Sequence, residues 1–74
     1  MPALEEYKRG TVCAHAVCLR TSGSGKAILV RFDDDDEDRW IPVSQIDDES
    51  EVYQTGDDGN LVITEWIANE KGWL

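Results

Sequence analysis

Cys13, His15 and Cys18 stand within six residues of one another, and such a grouping raises zinc ligation, a disulfide or a histidine base as possible chemistries. The stretch Thr11-Val-Cys-Ala-His-Ala-Val-Cys-Leu-Arg20 decides among them. It is rich in small and β-branched residues and holds no Pro or Gly, so it predicts a strand. On a strand, residues five apart point to opposite faces and lie roughly 16 Å apart at about 3.3 Å per residue. A disulfide needs Cα atoms within about 7 Å, so the thiols are expected free. Only Cys13 and His15 would share a face, and structural zinc takes four ligands, so no metal is expected. His15 has no Asp or Ser near it in sequence; any partner must come from elsewhere in the fold.

Two further patterns imitate known chemistry. Ser22-Gly-Ser-Gly-Lys-Ala27 resembles the end of a phosphate-binding loop. The leading glycine position is Arg20, Ala27 replaces the hydroxyl that would hold magnesium, and a β-rich run follows in place of a helix. The acidic run Asp33 to Asp38 invites calcium, but an EF-hand loop needs Gly at its sixth position and Glu at its twelfth. Counted from Asp33 those positions are Asp38 and Ser44; counted from Asp34 they are Arg39 and Gln45. Carboxylate pairs for acid–base work are abundant, yet catalysis needs acids in unlike environments, and an exposed run shares one. No cofactor is expected and no enzyme.

Charge is the stronger signal. Residues 1–32 hold the acids Glu5 and Glu6 against Lys8, Arg9, Arg20, Lys26 and Arg31. Residues 33–58 hold Arg39 as their one base against three acidic clusters: Asp33 to Asp38, then Asp47, Asp48, Glu49 and Glu51, then Asp57 and Asp58. The formal charge of −9 therefore belongs to the central third of the chain. Each cluster lies between apolar segments, as surface loops do. Such a surface either keeps a small domain soluble or docks on a basic partner.

The elements that must position these groups are short. A polar lead-in over 1–9 suggests a helical turn. Strands are expected at 10–20, 26–32, 39–43, 51–53 and 61–64, with a hairpin tip at 33–38 and a single turn of 3₁₀ helix at 44–46. Asp58-Gly59 supplies the positive-φ residues of a hairpin turn within 56–60. Thr64 caps a final helix from Glu65 to Lys71, and Gly72 stops it. Trp66 and Ile67 would lie against the sheet, with Trp73 and Leu74 following. Trp40 suits either the core or a surface anchor. The chain has 74 residues, 41% apolar and 31% charged, which matches one ordinary folded domain over 1–74. The fold expected is mainly β (α+β): a small five-stranded bent sheet, or an SH3- or OB-like barrel, with one short C-terminal helix. So thin a core leaves little room for a drug-sized pocket of about 300 Å³. Nothing near the roughly 20 apolar residues of a membrane span occurs, and Met1 to Tyr7 lack the pattern of a secretory leader, so a cytoplasmic location is expected.

Three segments carry a resemblance. Lys26-Ala-Ile-Leu-Val-Arg-Phe32, Arg39-Trp-Ile-Pro-Val-Ser-Gln-Ile46 and Thr64-Glu-Trp-Ile-Ala-Asn-Glu-Lys-Gly72 look like a group of small uncharacterised phage and prophage proteins. That group has a W-[IL]-P-x-S-Q-I stretch and a terminal E-W-[IL]-A-x-x-K-G helix, often with Pro where this chain has Thr64. The resemblance covers residues 26–72 and implies a phage origin and action in the host's bacterial cytoplasm, with no activity attached.

In that setting an acidic protein of this size suggests a nucleic-acid mimic, of the kind that blocks CRISPR or restriction machinery. Carboxylates at alternate strand positions lie about 6.6 Å apart, and duplex phosphates advance about 3.4 Å along the axis per strand step. The expected docking residues are Asp33, Asp34, Asp35, Asp36, Glu37, Asp38, Trp40, Asp47, Asp48, Glu49 and Tyr53, set against a basic host protein. The alternative is a small barrel that binds nucleic acid through Lys8, Arg9, Arg20, Lys26 and Arg31. A homodimer is a third possibility.

Overall fold

The computed structural model describes residues 2–74. Its longest strand, β2 (Thr11–Thr21), is paired along both edges. On one edge β1 (Glu5–Glu6) pairs antiparallel with Val12 and Cys13, and further along β3 (Ala27–Phe32) pairs antiparallel with Ala16 to Thr21. On the other edge β5 (Asp58–Thr64) runs antiparallel to Thr11–Val17. β4 (Asp38–Pro42) adds to the far side of β3. A 3₁₀ turn over Val43–Gln45 and a terminal helix, α1 (Glu65–Glu70), complete the fold.

Alternation along these strands builds one core. Val12, Ala16 and Cys18 of β2 face inward with Ile28, Val30 and Phe32 of β3, Ile41 of β4, and Leu61 and Ile63 of β5. Ile46, Val52, Ile67, Ala68 and Trp73 close over them. Cys13, His15 and Val17 take the opposite face, so the two thiols lie on different sides and are free. A register shift between Cys18 and Arg20 pairs Arg20 with Leu29 and so turns the arginine away from the core.

The α+β reading, four of the expected strands and the helix stand. The barrel alternative does not, because β5 returns beside β2 and its outer edge is covered by a strip of chain over 46–51. Ile46 bridges Ile63, Asp47 N–H donates to the Val62 carbonyl and Glu51 N–H to that of Asn60. Buried Ser50 fastens the strip, its Oγ accepting from Val62 N–H at 3.2 Å. The strip's pairing ends at Glu51, and the strand expected at 51–53 is absent. The helical turn expected in the lead-in is instead β1. The turn expected at Asp58-Gly59 falls earlier, at Gly56 with φ 92°, since residues 58 and 59 are already pairing with β2.

Helix α1 is capped at both ends. Thr64 Oγ1 accepts from Ile67 N–H at 3.2 Å. At the other end Gly72 (φ 76°) donates to Asn69 and Trp73 N–H to the Ala68 carbonyl, a Schellman closure. This closure turns the chain back, so that Trp73 packs edge-on against Phe32 at 5.6 Å. Trp66, expected in the core, is 59% exposed; Trp73 fills that role at 6%. Helical spacing misleads here because the helix ends three residues before Trp73.

Candidate functional site

Phe32 ends β3 inside the core, and Asp33 begins a tight turn whose N–H donates to the His15 carbonyl at 3.1 Å. That places the Asp33 carboxylate beside the His15 ring, with Oδ2 2.7 Å from Nδ1. On the other side of β2, Val17 pairs with Asp58, and Asp58 Oδ1 lies 2.9 Å from His15 Nε2. The first and third acidic clusters therefore meet across one imidazole. The Asp33 hydrogen bond is the main reason that the His15 pKa is raised above 6.5.

The hairpin beyond Asp33 is held by the fold. Asp34 accepts from Ala3 N–H at 2.9 Å. Asp35 is buried and receives Arg39 Nε at 2.8 Å; that guanidinium holds its carboxyl below the usual carboxylate range. Arg39 also reaches Glu37 at 3.2 Å and rests 5.8 Å from the Trp73 ring centre. Asp38 pairs with Arg31 at 2.8 Å. Asp36 is exposed, and makes no side-chain contact of this kind among the described residues.

The second cluster lies elsewhere, by the lead-in. Lys8 Nζ is 3.0 Å from Asp47 and 2.6 Å from Glu49, and Tyr7 donates to Glu49. The Glu49 N–H, and then Lys8, lower the Asp47 pKa. Asp48 is exposed, and Tyr53, 37% exposed, donates its hydroxyl to the Asp47 carbonyl. Trp40 is 39% exposed and carries Arg20 at 5.6 Å over its ring, a surface position that settles the choice left open above. Of the expected docking residues, Asp33, Asp34, Glu37 and Asp38 are exposed members of one held hairpin, Asp35 is turned inward, and Asp47 and Glu49 belong to a separate junction.

Sequence reasoning missed His15, Asp58 and Arg39 as organisers. The only signal for His15 was its face on β2; the partners come from segments 18 and 43 residues away. Between the lead-in, β2 and the hairpin lies a groove of about 370 Å³ lined by Ala3, Glu5, Cys13, Ala14, His15, Asp33, Asp34 and Asn60. A space this size was not expected; it exists because it is framed on the sheet's face rather than carved from the core. Burial pushes the Cys13 thiol pKa up, so this sulfur is not an activated nucleophile. Among the described residues no helix is long and apolar enough to cross a membrane. Comparison of the chain with family models, with curated proteins and with solved structures finds no match.

Proposed function

We propose that this protein is a noncatalytic binding module that docks an acidic surface on a basic, nucleic-acid-binding host protein, in the manner of a phage-encoded mimic. What supports the reading is that five of the six hairpin carboxylates are held before any partner arrives. His15, Arg39, Arg31 and the Ala3 amide each hold one or two of them. A charged row whose geometry is already set loses less entropy on docking than a floppy one, and opposite charge speeds encounter. A purely solubilising coat needs no such anchoring. The competing barrel reading is weakened by its own residues: Lys8 and Arg31 are paired to acids, and Arg20 lies on Trp40.

The test leaves Asp35 alone, because it serves the fold. Wild type and the triple variant Asp34→Asn, Asp36→Asn, Glu37→Gln are used to capture proteins from nuclease-treated bacterial lysate, and the captured partner is then titrated at several salt concentrations. The expected result is an affinity that falls with salt, weakens in the triple variant, and is displaced by duplex DNA. Binding that ignores both salt and the three substitutions overturns the proposal.

A further inference from the structure

His15 makes a contact that only one protonation state can satisfy. Both of its ring nitrogens lie against carboxylate oxygens, Nδ1 on Asp33 at 2.7 Å and Nε2 on Asp58 at 2.9 Å. An ionised carboxylate only accepts, and a neutral imidazole has a single N–H. With a neutral ring, one of the two contacts sets lone pair against lone pair. Only the imidazolium donates to both. We propose that His15 is a proton-operated clasp: protonated, it ties the Asp33 and Asp58 side chains across β2; deprotonated, it releases one of them and removes a positive charge from the groove lining.

The surroundings favour such a device. Around the ring stand Asp33 from the hairpin, Asp58 from β5 and Glu51 from the strip along β5, while Asp34, Glu5 of β1 and Cys13 of β2 line the groove beside it. Among the described residues the groove lining contains no lysine or arginine, so no side chain there substitutes for the ring's charge. The backbone on both sides is pinned independently, by Asp33 N–H on the His15 carbonyl and by the ladder between Asp58 and Val17. Deprotonation therefore alters side chains and field rather than the fold. The clasp stands on this geometry whether or not the hairpin binds a partner.

His15 is the only histidine, so its ring signals need no assignment. The experiment follows its ring nitrogens and the aspartate carboxyl carbons by NMR as pH is raised, in wild type, Asp33→Asn and Asp58→Asn. In wild type the ring is expected to titrate above 6.5, with the Asp33 and Asp58 carboxyl carbons reporting the same midpoint. Each Asn variant should move that midpoint down. A ring that titrates at its ordinary value, with both carboxyl carbons unresponsive, overturns the clasp, as does a midpoint unmoved by either substitution. The exposed Asn positions leave the core untouched, so the variants should fold.

Discussion

Trp66 and Trp73 share a residue type and a terminal segment, and the structure gives them opposite duties. Trp73 packs on Phe32, carries the Arg39 guanidinium over its ring and is 6% exposed, whereas Trp66 is 59% exposed. Trp73→Ala should cost about 3–5 kcal/mol in chemical denaturation. Trp66→Ala should stay within about 0.5 kcal/mol. Comparable losses for the two would mean that the terminal turn does not form as described. Arg39 shows a related point. It joins Trp73 to Asp35 and Glu37, so one side chain couples the core to the acidic hairpin. No pattern along the chain marks it, because Asp35, Glu37 and Trp73 converge only after the fold has formed.

Among the elements, what could be read in advance follows local rules. The extent of β2, the free thiols, the Thr64 cap and the Gly72 stop all depend on neighbours within a few residues, and they came out as expected. What could not be read depends on pairing at a distance. The Asp58-Gly59 step has the chemistry of a hairpin turn, yet its pairing with Val17 and Ala16 makes it a strand. The strip at 46–51 has no strand periodicity because it touches β5 along one edge through a few bonds, chiefly those of Ser50. These assignments are testable. Gly56→Ala should cost about 1 kcal/mol by forcing a side chain into the left-handed region. Thr64→Ala should cost about 1 kcal/mol by orphaning the Ile67 amide. Thermal or urea unfolding of each variant measures both, and a neutral Gly56→Ala would return the turn to residues 58 and 59.

For the whole molecule, titration and size set the limits. Asp35 and Asp47 have lowered pKa values, so their contribution is full above the unfolded value of about 3.9 and fades as pH falls through the folded values. His15 has a raised pKa, so its contribution is full below the unfolded value of about 6.5 and is lost as pH rises through the folded one. A net charge of −9 adds self-repulsion that mild acid relieves. Stability by urea titration should therefore peak in mild acid, between about pH 4 and 6.5. A peak above neutrality would show that the ion pairs of His15 are not formed. The longest dimension is 29 Å, which matches about eight phosphate steps of a duplex strand, so any imitation of nucleic acid is confined to under one helical turn.

The sheet's two sides end differently. β5 has its outer edge occupied by the strip at 46–51, while among the described residues β4 pairs only with β3. A sheet with both margins bare can recruit copies without limit and grow into a fibre. Here two molecules meeting margin to margin along β4 would use up the β4 margins of both, leaving in each only the two-residue edge of β1, and Pro42 withholds a donor at one end of that seam. Growth along β4 would then halt at a pair rather than run on into a fibre.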